Sequence, residues 1–125
     1  MSKLTIALDI MGGDHGPPVI LPAAVKAIQL HPDVHFTLCG DEDTIIAGIQ
    51  PLTDSERKRV TIVHCSQVVE MGEAPTSALR NKKDSSMRRV IELVESGEAD
   101  ACVSAGNTGA LLTLSFYLLK TLSGI

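Results

Sequence analysis

"LTIALDIMGGDHGPP" (Leu4–Pro18) is the stretch that decides the fold. Leu4–Met11 is apolar at nearly every position and then breaks into glycine, acid and proline. A strand that is half exposed alternates apolar and polar residues. One that is apolar on both faces reads as a central strand of a parallel sheet, covered by helices on either side. A helix is expected next, because Leu21, Ala24, Val25 and Ile28 fall at i, i+3, i+4, i+7 on one face. That reading places Pro22 in the helix's first turn, where a missing N–H costs little. "HPD" (His31–Asp33) stops it.

The alternation continues along the chain. Val34–Gly40 reads as the second strand, and "DEDTIIAGI" as an acid-led helix with Ile45, Ile46 and Ile49 on its apolar face. "QPLTDSERKR" reads as a polar connection, and Val60–Cys65 as the third strand. The next twenty or so residues show little periodicity beyond a short helical turn after Pro75, and loops of that length in compact domains are usually functional. Met87, Val90, Ile91 and Val94 restore the helical stripe, which Gly97 ends. "ACVSAG" reads as the fourth strand and "NTGALLTLSFYLLKTL" as the last helix. Strands joined by helices give an α/β fold: a three-layer α/β/α sandwich around a mainly parallel sheet. The last helix is apolar on almost every side and needs cover on more than one face. We therefore expect residues 1–125 to be the N-terminal part of a single longer α/β domain.

Composition narrows the function. The 125 residues carry a net charge of −4, with one Tyr, two Phe and no Trp. Nucleic-acid binding, with its basic excess and stacking aromatics, is disfavoured. Cys39, Cys65 and Cys102 lie in or beside apolar runs without C-x-x-C spacing, and read as reduced, core-packed thiols of a cytosolic protein. The histidines show no metal-ligand spacing. His64 is expected to be structural, and His15, beside Asp14, is the one candidate acid or base. "MSKLTIALD" does not read as a secretory signal, and Ala110–Leu119 is far short of the roughly 20 residues that span a bilayer.

Ligands in open parallel sheets bind beyond the carboxyl ends of the strands. Three candidate sites lie there. "MGGDHG" departs from the dinucleotide pattern G-x-G-x-x-G: position 11 is Met, and Pro17 and Pro18 remove N–H groups from the helix start. It reads as a tight glycine turn or as a site organised by Asp9 and Asp14, since acids at the end of a buried strand are costly unless used. "RNKKDSSMRR" gathers Arg80, Lys82, Lys83, Arg88 and Arg89 around Ser85 and Ser86 at a helix start. This is either an anion site or a capped helix beside a solvated basic loop. "SAGNTG" offers Gly106 and Gly109 for close backbone approach, the Asn107 amide, and Thr108 as a hydroxyl and cap. A phosphate-sized anion suits such a turn, although a plain capped strand-to-helix turn has the same composition. No lysine follows the second glycine, so it is not a Walker A loop.

Together, D-x-M-G-G-D, K-D-S-S-M-R and S-A-G-N-T-G-A, in order and at close spacing over essentially the whole chain, resemble the bacterial phosphate acyltransferase family. The resemblance implies a Rossmann-like α/β/α sandwich. It implies transfer of a long fatty acyl chain from acyl carrier protein to inorganic phosphate, giving an acyl-phosphate for phospholipid synthesis. It further implies no metal or organic cofactor, a homodimer, and a cytoplasmic protein attached peripherally to the membrane. On that reading Asp9, Asp14, Lys82 and Asn107 are the catalytic candidates. Ser85, Ser86, Arg88, Gly106, Thr108 and Gly109 would hold phosphate and oxyanion, and Arg80, Lys83 and Arg89 would dock the acidic carrier. The rival readings are a dehydrogenase-like enzyme of the same fold class and a non-catalytic carrier-binding regulator.

Overall fold

The structure, a computed structural model, describes residues 4–120. Four parallel strands, β1 (Leu4–Asp9), β2 (Val34–Gly40), β3 (Val60–His64) and β4 (Ala101–Val103), lie in the order β3-β2-β1-β4. Helices α1 (Pro17–Leu30), α2 (Glu42–Gly48), α3 (Asp54–Arg57), α4 (Pro75–Asn81), α5 (Ser86–Glu95) and α6 (Thr108–Leu119) connect and cover them. The register pairs Leu4 with Val34 through Asp9 with Cys39, and Ile6 with Ala101 through Leu8 with Val103. Successive side chains of a strand point to opposite faces, and the core divides accordingly. Ile6, Leu8, Phe36 and Leu38 pack with Leu21, Val25 and Ile28 of α1 and Ile45 of α2. Ala7 and Cys39 pack on the other face with Met87, Val90 and Ile91 of α5 and Ala110 and Leu114 of α6. This is the three-layer α/β/α arrangement expected from the alternation, with a Rossmann-like parallel sheet.

Several local readings change. α1 begins at Pro17, so Pro22 lies inside the helix rather than in its first turn. It withholds an N–H from the carbonyl of Pro18, which sits on the exposed side where water can serve it. The polar connection after α2 contains α3, closed by a reciprocal capping box in which Thr53 Oγ1 accepts from Glu56 N–H and Glu56 Oε1 from Thr53 N–H. The long segment after β3 is half structured: α4 fills Pro75–Asn81, and Gln67 bridges to Ser85 in parallel fashion. Gly97, at φ +82°, ends α5 as expected.

α6 buries only Ala110 and Leu114, and leaves Leu112, Phe116, Tyr117 and Leu119 exposed. β4 is an edge strand with Val103 exposed. Among the described residues no helix is long and apolar enough to cross a membrane. The three cysteines are free thiols. A hydrogen bond shared with Cys65, and burial, push the Cys39 thiol well above its ordinary range, and burial raises Cys102. Both are thiols at neutral pH, as befits packing residues.

Candidate active site

In an order β3-β2-β1-β4 the chain reverses direction across the sheet between β1 and β4, and a crevice opens beyond their carboxyl ends. A cavity of about 180 Å³ lies there, lined by Gly12, Gly13, Asp14, His15, Gly16 and Ala105, with Val19 and Ile20 of α1 behind. One wall is the turn after β1 and the other the turn after β4.

Asp9 holds the two walls together. It is the last residue of β1 and only 3% exposed. Its Oδ1 accepts from the N–H groups of Met11 and Gly12, both at 3.1 Å, and from the hydroxyl of Ser86. Its Oδ2 accepts from the hydroxyl of Ser104 at 2.7 Å, and Ser104 Oγ in turn accepts from Gly106 N–H at 3.1 Å. One carboxylate therefore ties the β1 turn, the first turn of α5 and the β4 turn. This explains why an acid can sit in the core: every donor aimed at it is a hydrogen bond that replaces water. The glycines make the closeness possible. A Cβ on Gly12 would lie 2.7 Å from Asp9 Oδ2 and 3.0 Å from Gly106 N, and Gly13 has φ +96°. Among the described residues, the N–H groups of Gly13 and Ala105 have no hydrogen-bond partner.

Asn107 is the cap of α6, the place that the sequence assigns to Thr108. Its Oδ1 accepts from Ala110 N–H at 3.1 Å, while its Nδ2 donates to the carbonyls of Glu70, at 3.1 Å, and Glu73, at 2.7 Å. Both ends of the amide are thus used within the chain. Thr108 and Gly109 are exposed on the first turn of α6, and Gly109 lets Pro75 approach: a Cβ there would meet Pro75 Cγ at 3.1 Å. Replacing Asn107 with alanine is expected to lower stability by about 2 kcal/mol, from the lost cap and two carbonyls left unpaired. The 66–74 segment should then become protease-sensitive. Limited proteolysis with cleavage-site mapping checks this, and an unchanged digestion pattern would contradict it.

The residues of the basic segment separate. Ser85 is fully buried and caps α5, accepting from Arg88 N–H at 3.1 Å, while Ser86 is bound to Asp9. Lys82 Nζ donates to the Val68 carbonyl at 2.8 Å and lies 3.5 Å from Glu73 Oε1, so it braces the same 66–74 segment that Asn107 holds. Arg88 reaches Glu92 and the Leu79 carbonyl. It faces, with Arg80 and Lys83, a second cavity that shares no residue with the crevice. Arg89 lines a third cavity beside Glu92, Glu95 and Glu98, and its Nε is buried without a partner among the described residues. The crevice thus contains Asp14 and His15 directly, and is framed by Asp9, Ser86 and Gly106. Lys82 and Asn107 support it through the segment after β3. His64 is structural, its Nδ1 accepting from Glu42 N–H at the start of α2. Sequence reasoning missed two framing residues, Gly12 and Ser104. Each sits one to three residues past a strand end, and that position was the available signal.

Asp84 closes the segment. It accepts from the hydroxyl of Ser66 at 2.6 Å and its N–H at 2.9 Å, bonds that hold its carboxyl below the ordinary range. A depressed folded-state value means stabilisation that is complete above the unfolded carboxylate value, about 4, and lost as pH falls through the folded one. Acid titration of Asp84→Asn by circular dichroism should therefore show a shallower loss of stability below about pH 4. A limb as steep as that of the parent protein would contradict this.

A model of the family described as "Fatty acid synthesis protein" matches residues 4–125. The chain is 54% identical over 124 residues to a protein of Halorhodospira halophila named phosphate acyltransferase, covering 99% of this chain and 36% of that one. Proteins of the same name from Legionella pneumophila strain Paris and Pseudoalteromonas atlantica are 53% and 54% identical over 125 residues. They are covered to 36% and 37% of their length, so the chain spans little more than a third of the relatives it matches.

Proposed function

Because the chain belongs to the fatty acid synthesis protein family, we propose that it forms the phosphate-handling part of an acyltransferase. The reaction moves a long fatty acyl group from the thioester of acyl carrier protein to inorganic phosphate, and the acyl-phosphate feeds phospholipid synthesis. One observation supports this reading above others: the crevice at the β1–β4 switch point is walled by small residues and backbone N–H groups, and Asp9 fixes its two walls to each other.

Such a site suits the chemistry. Phosphate is already an anion at neutral pH and is itself the nucleophile, so no side chain need attack. What the protein must supply is position and donors. The phosphate oxygen has to be held near the thioester carbonyl, and the oxyanion that forms must meet fixed N–H groups. A bond forms from phosphate oxygen to the carbonyl carbon, the carbon–sulfur bond breaks, and the sulfur leaves as the thiol with the proton that hydrogen phosphate gives up. The unpartnered N–H groups of Gly13 and Ala105 are the candidate donors, and His15 and Asp14 border the same space. Ser86 and Ser104 spend their hydroxyls on Asp9, which makes them positioning residues.

The test uses the full-length gene product and palmitoyl acyl carrier protein, with free thiol followed in the presence and absence of inorganic phosphate. Phosphate-dependent release, with hydroxylamine trapping an acyl-phosphate, is the expected result. Release that ignores phosphate, or none from a folded protein that binds the carrier, would overturn the reading. For docking of the acidic carrier, Arg80 and Lys83 are the exposed cations, whereas Arg89 is half buried among acids. The KM for the carrier should rise severalfold as ionic strength approaches physiological, where the screening length is about 8 Å. A salt-independent KM would remove these residues from docking.

A further inference from the structure

We propose that the cavity between α4, α5 and α6 is a second anion site that accepts a small organic phosphate. It is about 340 Å³ in volume and is lined by Leu79, Arg80, Lys83, Arg88 and Tyr117. Three cations from three successive pieces of chain converge there: Arg80 from the last turn of α4, Lys83 from the link, and Arg88 from the first turn of α5. Among the described residues neither Arg80 nor Lys83 has an acidic partner. Among the described residues only Glu92, 3.4 Å from Arg88 Nε, offsets the group. Like charges gathered round one space repel unless an anion joins them.

Arg88 is also preset. Its Nε is directed at Glu92 and its Nη1 donates to the Leu79 carbonyl at 3.3 Å, so its guanidinium is fixed at the cavity wall before any ligand arrives. A planar, anchored guanidinium beside exposed cations is a fitting receptor for phosphate oxygens. The rest of the lining says what the phosphate carries. The cavity falls at the low end of the roughly 300–1,000 Å³ typical of small-molecule sites, larger than a bare phosphate needs. The ring of Tyr117 and the side chain of Leu79 give it an apolar wall. An ester with a compact organic group uses both halves, whereas inorganic phosphate would use one. The cavity is separate from the switch-point crevice, with which it shares no lining residue, although Arg80 and Lys83 are also the cations offered above to the acidic carrier.

Phenyl phosphate is a suitable probe, with a dianionic head and an apolar ring. Calorimetric titration of the full-length gene product at low ionic strength should show it bind. The Arg80→Ala/Lys83→Ala variant should bind at least about tenfold more weakly, and Tyr117→Ala should also weaken it. Gly12→Ala, which alters only the switch-point crevice, should bind it as the parent does. Arg80→Gln, a milder change at an exposed position, provides the same reading if the double variant is misfolded by circular dichroism. Absence of binding to the parent, or equal affinity in parent and cavity variants, would overturn the site. Either failure would leave the thiol-release result for acyl transfer untouched.

Discussion

Replacing Asp9 with alanine is expected to destabilise the protein by about 3–5 kcal/mol. The variant strands two backbone N–H groups, of Met11 and Gly12, and two hydroxyls, of Ser86 and Ser104, around a hole in the core. Each buried polar group left without a partner costs about 1–3 kcal/mol, and the groups are too close for those costs to add. Against a total stability of about 5–15 kcal/mol this is a large share. Asp9→Asn should be milder, about 1–2 kcal/mol, because its carbonyl oxygen can still accept from the β1 turn. Its amide, however, presents a donor to the Ser104 hydroxyl, whose own proton then loses its acceptor. Urea unfolding of both variants checks the order. An unfolding free energy for Asp9→Ala within about 1 kcal/mol of the parent's would mean that the three segments are held by something other than this carboxylate.

On the proposed acyl transfer, Gly12→Ala should cost more in turnover than in stability, which falls by about 1–3 kcal/mol as at other overpacked sites. Its Cβ would fall 2.7 Å from Asp9 Oδ2 and 3.0 Å from Gly106 N. Neither neighbour can swing aside: the carboxylate is held by four donors and Gly106 N is backbone. The β1 and β4 turns must part by some tenths of an ångström, and the donors they present part with them. Misplacement on that scale at a positioned nucleophile lowers rates by about 100-fold. Steady-state kinetics of phosphate-dependent thiol release provide the measurement, with Gly72→Ala as control, since a Cβ there meets nothing within 4 Å. A Gly12→Ala enzyme with the parent's kcat/KM would show that the close approach of the two turns is incidental to catalysis.

The cavity beside α6 bears on how the basic segment should be read. In the sequence Arg80, Lys82, Lys83, Arg88 and Arg89 look like one patch. The fold assigns them to three places: Lys82 to an internal brace on Val68 and Glu73, Arg89 to a cavity ringed by acids, and Arg80, Lys83 and Arg88 to a common pocket. Ten residues that include a turn and the start of a helix point in several directions, and no periodicity in the sequence records which.

What the sequence determined by itself is the layering. Apolar residues at nearly every position of Leu4–Leu8, and the 3.6-residue stripe Met87–Val90–Ile91–Val94, can be buried only as a doubly covered strand and as a one-faced helix. Burial of apolar surface is the main force driving folding, and it leaves few other arrangements. The start of α5 at Ser85 and its stop at Gly97 were readable for the same kind of reason, since caps depend on local geometry. Tertiary structure alone decided who meets whom across long separations: Asp9 with Ser86 and Ser104, 77 and 95 residues away, and Asn107 with the carbonyls of Glu70 and Glu73. Those hydrogen bonds have no sequence period, because they depend on where β4 inserts beside β1 and how the 66–74 segment folds back. The Ser104–Gly109 turn after β4 holds first of all the protein's own segments together, and the crevice lies between that turn and the one after β1.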